Sequence, residues 1–315
     1  MKKINTTLGR IDLDRLGKVD VHDHLILDRS QNRTIPEDFH HTDVDLISRE
    51  VAAWKAAGGG VIVDSSPIGA GRNIELLNET SLHSQVPFIV SSGFHKLSYY
   101  QKDHWLYSAS EAEIAEILLA ECSEGVLLDD RNPNQSNRSS TKANMLKIGV
   151  DSEGISLLGS KLINAVVKTA TQLEIPLMIH TEPGVPFDTL VDTLESGKVD
   201  PARVIICHMG KSLDLELHRA LADRGYYLEF DEMVRPFPPL SELASTIRSL
   251  FNEGFGGAVL FAGDLARRGY WSCYGGSPGL PFLITSLNED LLDLGFTQEI
   301  LDKIWIENPQ TLFSN

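Results

Sequence analysis

The feature that most constrains this chain is a short apolar, β-branched run that recurs eight times, with amphipathic segments between the copies. The runs are KVDVHDH (18–24), GVIVDSS (60–66), PFIVSSG (87–93), NMLKIGV (144–150), PLMIHTE (176–182), VIICHMG (204–210), YYLEFDE (226–232) and AVLFAGD (258–264). Each is nearly continuous in hydrophobicity and ends in polar residues or glycine, as parallel strands buried on both faces do. Between them, DLISREVAAWKAA (45–57), EAEIAEILLAECSEG (111–125) and LLGSKLINAVVKTATQLE (157–174) carry the spacing of helices with one apolar face. Gly58, Pro87, Pro176 and Gly225 mark helix ends just ahead of strands. Strand–helix alternation predicts a parallel sheet, and eight units predict a closed (β/α)8 TIM barrel of the α/β class. The rival, an open doubly wound sheet, would carry a glycine-rich phosphate loop after its first strand, where VHDH stands instead.

No repeat, low-complexity tract or second domain is visible, so residues 1–315 are expected to form a single barrel domain. The longest connection runs from Phe94 to Ala143 and includes the polar stretch DDRNPNQSNRSSTKAN (129–144). The 126–143 part of it is expected either to be mobile or to be drawn over a site. With 28 Lys+Arg against 44 Asp+Glu, the net charge of −16 argues against nucleic acid and anionic membrane as partners. MKKINTTLGR lacks the apolar core of a secretory signal, and no run approaches the ~18 apolar residues of a membrane span. Three widely spaced cysteines suggest neither a disulfide framework nor a zinc knuckle, and a cytoplasmic location is expected.

The strand ends carry the chemistry. His22 and His24 are two apart on the first run, so both imidazoles project to one face. His180 ends the fifth strand in IHTE, His208 ends the sixth in CHMG and Asp264 closes the eighth in FAGD. A lone histidine there is more often a hydrogen-bonded structural group, and a lone aspartate more often a helix N-cap. In a closed barrel, however, all these ends meet at one mouth, which points to a metal site. Lys147 lies inside NMLKIG, where burying an ammonium is costly and nearby dications would repel it. Carbamylation by CO2 would convert it into an anion with two oxygens able to bridge two metals; pairing with a neighbouring carboxylate is the other reading.

Taken together, VDVHDH, the fourth-strand lysine, IHTE, CHMG and FAGD resemble the phosphotriesterase-related branch of the amidohydrolase superfamily, over nearly the whole length. The resemblance implies His22, His24 and Asp264 on one divalent metal, His180 and His208 on a second, and carbamylated Lys147 bridging them. Zinc suits imidazole and carboxylate ligands, with manganese or cobalt as alternatives. It also implies a homodimer. In such a site a shared hydroxide attacks the electrophile and Asp264 is the catalytic proton acceptor.

The connecting loops bear on the substrate. SGFHKLSYY (92–100), FDEMVRPF (230–237) and GDLARRGYWSCYGGSPG (263–279) place Lys96, Arg235, Arg267 and Arg268 beyond strand ends, with Tyr99, Tyr270 and Tyr274 as hydroxyl donors. In an acidic protein, cations gathered at one mouth suggest a bound anion. Solvated loop charges, or salt bridges to Glu229, Asp231 and Glu232, are the plainer reading. The loops are similar to those of the branch that hydrolyses phosphorylated sugar lactones, which implies that Lys96, Arg235, Arg267 and Tyr270 hold a phosphate. Two positions depart from that pattern: Arg235 stands where lysine is common and His95 where asparagine is expected. The expected substrate is a small sugar-acid lactone, pentono-1,4-lactone 5-phosphate in type. A lactonase, esterase or phosphotriesterase acting on an uncharged substrate is the alternative within the enzyme class. A non-catalytic barrel that binds a phosphorylated ligand is the alternative outside it.

Overall fold

The structure, a computed structural model, describes residues 2–32, 34–134, 137–152 and 154–315. Eight strands lie parallel in one sheet: β1 (Lys18–Asp23), β2 (Gly59–Asp64), β3 (Phe88–Phe94), β4 (Ala143–Gly149), β5 (Leu177–His180), β6 (Val204–Ile206), β7 (Tyr227–Phe230) and β8 (Val259–Phe261). Each pairs with the next in chain order. Helices α1 (Val44–Ala56), α2 (Ile74–Ser84), α3 (Glu111–Ser123), α4 (Leu157–Leu173), α5 (Phe187–Ser196), α6 (Leu215–Asp223), α7 (Leu240–Asn252) and α8 (Ser286–Asp293) form the outer ring of a TIM barrel. Their starts are set by local chemistry. Asp43, Asn73, Ser156 and Asp214 accept from the third helical N–H, and Ser110 with Glu113 forms a full capping box.

Two apolar layers follow from the strand period of two. Val19, Val21, Val61, Val63, Ile89, Met145, Met178, Ile205 and Leu260 fill the barrel interior. Ile62, Phe88, Val90, Leu146, Ile148, Leu177, Val204 and Phe261 pack outward under the helices. A hairpin of Lys3–Thr6 with Gly9–Asp12 precedes the barrel, and its Ile4 joins the interior cluster. Among the described residues no helix is long and apolar enough to cross a membrane.

Among the described residues no β8–β1 ladder closes the barrel. Instead, the Asp264 N–H donates to the His22 carbonyl at 2.8 Å. The Gly263 N–H donates to Asp20 Oδ1 at 3.2 Å and the Leu265 N–H to Asp23 Oδ1 at 3.1 Å. Two buried aspartates on β1 thus take the backbone donors that a ladder would use. β1 itself is irregular there: Asp20 opposes Ile62 but Asp23 opposes Asp64, so an extra residue is accommodated between Asp20 and Asp23.

The 126–143 stretch is folded back on itself, with Leu127 bridging Arg138 and the Val126 N–H donating to the Thr141 carbonyl. Arg72, on the connection after β2, reaches Glu121 of α3 through both terminal nitrogens at 2.8 Å and Asp130 at 2.5 Å. Ser92 Oγ and the Leu127 N–H complete Glu121, and the Gly69 N–H completes Asp130. This buried triad pins the stretch to the barrel wall, and none of its described residues lines the cavity at the mouth.

Candidate metal centre and active site

Of the polar residues at the strand ends, His180 stays in register opposite Gly149, whereas His208 and Asp264 lie beyond their ladders. His208 and Asp264 take positive φ values of 65° and 43°, so each turns out of its strand into the mouth. Gly93, at φ 107°, permits β3 to approach β4 at Lys147; a Cβ there would lie 2.0 Å from the Lys147 carbonyl oxygen.

At the floor of the mouth, Lys147 Nζ lies 3.0 Å from His22 Nε2, both side chains being fully buried. Asp264 Oδ1 lies 3.6 Å from His22 Nε2 and 3.5 Å from His24 Nε2. One donor atom each from His22, His24 and Asp264 falls within 4.8 Å of the others. His180 Nδ1 and His208 Nε2 face each other at 2.7 Å. The rings of His22 and His208 are 5.4 Å apart, which joins the two pairs into one cluster.

Outside His22, whose Nδ1 makes no hydrogen bond, the remaining ring nitrogens have close partners. His24 Nδ1 is 3.0 Å from Ser66 Oγ, His208 Nδ1 is 2.6 Å from Asp231 Oδ2, and His180 Nε2 is 3.0 Å from Glu182 Oε1. The two carboxylates accept, and so select the tautomers of His208 and His180; all three contacts leave His24 Nε2, His208 Nε2 and His180 Nδ1 as the nitrogens turned inward. Burial, assisted by Lys147, holds His22 and His24 well below the ordinary histidine range. Burial and the neighbouring His208 do the same to His180. Neutral imidazoles with inward lone pairs and a carboxylate are a donor set that fits divalent cations. Six buried atoms at or beneath the floor make no hydrogen bond: Asp20 Oδ2, His22 Nδ1, Asp23 Oδ2, Glu229 Oε1, Asp231 Oδ1 and Glu232 Oε1. His22, His208, Glu229 and Asp231 form a second group with donor atoms within 4.8 Å.

Burial lowers the Lys147 ammonium below the usual lysine range, which favours the amine, the form that can react with CO2. Against the pull of burial, His208 and Arg235 hold the Asp231 carboxyl well below its usual range, whereas burial and Asp231 push Glu229 far up. Asp231 is therefore the charged partner of His208.

Above the floor sits a cavity of about 260 Å³ lined by His24, His95, His180, Asp264, Arg235, Arg267 and Tyr270, among others. Arg235 Nη2 donates to Asp264 Oδ2 at 2.5 Å, and its guanidinium lies 5.9 Å from the centre of the Tyr270 ring. Arg267, half exposed, pairs with Asp38 at 2.5 Å and stacks over Phe39. Lys96 donates to Glu182 Oε1 at 2.7 Å. Arg268 stacks on Tyr274, and neither residue is among those lining the cavity. Tyr99 lines it and stacks on His95 with ring centres 4.0 Å apart.

Several site residues carry no legible signal in the sequence. Lys211 follows His208 in a single turn, without periodicity, and meets Glu182 Oε2 at 3.1 Å. Ser66 gains its place only because β2 sits beside β1. Asp231 meets the mouth cation Arg235 at 3.4 Å, as one reading of the loops has it; its second role, as the partner of His208, is marked by a carboxylate one residue past a strand that neighbours the strand leading to His208.

The Phosphotriesterase family profile matches residues 2–313. Among relatives, a phospho-furanose lactonase of Mycoplasmopsis agalactiae is 27% identical, over 99% of this chain and 92% of its own length. An N-acetyltaurine hydrolase of Rattus norvegicus is 24% identical over 98% of this chain and 97% of its own. Among solved structures, an amidohydrolase from Mycoplasma synoviae superposes with a TM-score of 0.88 at 26% identity, covering 99% of this chain and 92% of that one.

Proposed function

This chain belongs to the phosphotriesterase family of metal-dependent hydrolases, and from that premise we propose that it opens a phosphorylated sugar-acid lactone, pentono-1,4-lactone 5-phosphate in type. The observation that carries the reading is a single cavity with an imidazole–carboxylate cluster at its floor and Arg235, Arg267, Lys211 and Tyr270 on its walls. A phosphorylated lactone has the matching two ends, an electrophilic carbonyl and a dianion.

His22, His24 and Asp264 would hold one divalent cation and His180 with His208 a second, zinc by the chemistry of the donors, with carbamylated Lys147 between them. Forming that carbamate joins the Lys147 amine nitrogen to the carbon of CO2 and releases one proton. Cations bound there supply an activated water at neutral pH and polarise the scissile carbonyl. Asp264 Oδ1 is the proton acceptor on the cluster side, while its Oδ2 is held by Arg235. Once the ring C–O bond breaks, the proton on Asp264 passes to the leaving ring oxygen, and the product is the free hydroxy acid. Arg235, Arg267, Lys96 and Tyr270 would orient the phosphate, fixing the distance from anion to carbonyl.

The test is a kinetic comparison. In Arg267→Met, KM for the phosphorylated lactone should rise about 10- to 100-fold, the scale of a charge-assisted hydrogen bond, with little change for the dephosphorylated analogue. Equal losses on both would sink the phosphate reading. The name of the rat relative favours one competitor: an N-acyl amine bearing a sulfonate would meet the same cations. Including such an amide in the substrate screen decides between ester and amide hydrolysis.

A further inference from the structure

We propose that Glu182 is a positioning residue that ties the anion-binding wall of the cavity to His180, and that Lys211 belongs to that wall. The inference rests on the reading that His180 is a metal ligand. Glu182 lies two residues beyond His180, just past the end of β5, and one carboxylate engages three elements. Its Oε1 accepts from His180 Nε2 at 3.0 Å and from Lys96 Nζ, after β3, at 2.7 Å. Its Oε2 accepts from Lys211 Nζ, in the turn after β6, at 3.1 Å. Glu182, Lys211 and His180 all line the cavity.

Two consequences follow, and they oppose one another. Accepting the Nε2 proton fixes the His180 tautomer and leaves Nδ1, 2.7 Å from His208 Nε2, as the lone-pair nitrogen of the cluster. Glu182 therefore strengthens metal retention. The same negative charge partly neutralises Lys96 and Lys211, so it weakens their attraction for an incoming anion. Two cations share one carboxylate, and the wall keeps a net positive charge.

The test uses full-length, metal-loaded Glu182→Gln. Zinc affinity, read by competition with a chromogenic chelator, should fall 10- to 100-fold. Binding of inorganic phosphate at saturating zinc should tighten roughly 3- to 10-fold, the scale of two partly exposed ion pairs. Lys211→Met should weaken phosphate binding by a similar factor while zinc affinity stays within about twofold. A packing role alone would move both affinities down together or neither. Unchanged zinc affinity in Glu182→Gln overturns the positioning role. Weaker phosphate binding in that variant overturns the counter-charge arrangement. Should Glu182→Gln fail to fold, Glu182→Asp keeps the charge but shortens the reach; zinc affinity must still fall, with phosphate affinity kept, or the proposal fails. Neither readout uses a lactone, so a screen in which every lactone is inert would count against the proposed reaction and leave this inference standing.

Discussion

Two buried charged clusters in this barrel have opposite characters. The Arg72–Glu121–Asp130 triad is satisfied by the protein itself: each carboxylate oxygen accepts at least one hydrogen bond, and only Arg72 Nε is left over. The cluster at the mouth gathers imidazoles, acids and a lysine, yet leaves buried oxygens of Asp20, Asp23, Glu229, Asp231 and Glu232 without a hydrogen bond. Burial cost makes the second arrangement unfavourable unless something else rewards it. The lesson is that burial of charge alone does not mark a reactive site; the manner in which that charge is satisfied does. The first cluster fastens a loop, and the second is shaped for cations.

Substitutions can break this contrast, and the mouth should lose function where the triad loses stability. Lys147→Ala should have the largest effect, lowering turnover by roughly 10³- to 10⁴-fold, as removal of one member of a catalytic unit does. Bound metal measured on the purified protein should fall with it, and short-chain carboxylates should restore part of the activity. A variant with full metal content and ordinary turnover would remove the bridging role. Asp264→Asn should cost about 10²- to 10⁴-fold in kcat, the range of a lost general base. Its thermal unfolding should stay close to that of the parent, and a matching collapse in stability would reassign Asp264 to the barrel seam. Arg72→Met should behave in the opposite sense. Leaving Glu121 and Asp130 buried without their cation should cost about 3–5 kcal/mol, read from the urea midpoint. Metal stoichiometry of the folded fraction should be unchanged; loss of metal without loss of stability would erase the distinction between the clusters.

Much of the fold was legible because its signals are local. The eight apolar runs coincide with β1–β8 to within a residue or so at their starts, and the amphipathic stretches at 45–57, 111–125 and 157–174 became α1, α3 and α4. The ends were less well defined. VIICHMG and AVLFAGD read as continuous strands, whereas β6 and β8 stop at Ile206 and Phe261 because His208 and Asp264 leave the ladder at positive φ. Residue identity and strand order also brought His22, His24, Lys147, His180, His208 and Asp264 into view as a group. What escaped were pairings made across space. The mouth cations read either as an anion site or as loop charges bridged to Glu229, Asp231 and Glu232; Arg235 does meet Asp231 at 3.4 Å, but also Asp264, while Lys96 is shared with Lys211 on Glu182 and Arg267 meets Asp38. Nothing in the spacing of those residues encodes a partner on another loop. The 126–143 stretch was ambiguous for the same reason: its anchor is Asp130 meeting Arg72, more than fifty positions away.

The seam between β8 and β1 has a consequence for the order of events during synthesis. The backbone bond that closes the ring runs from the Asp264 N–H to the His22 carbonyl, so the same two residues complete the barrel and bring together the first donor group. A chain still lacking its last fifth has His22 and His24 without Asp264, although Glu229, 3.6 Å from His22 Nδ1, is already present. Closure and completion of that group thus rest on one contact of high sequence separation, a slow kind of contact to form. Residue 264 must leave the ribosome before the His22, His24 and Asp264 group can be complete, whereas His22, His208, Glu229 and Asp231 are all synthesised earlier.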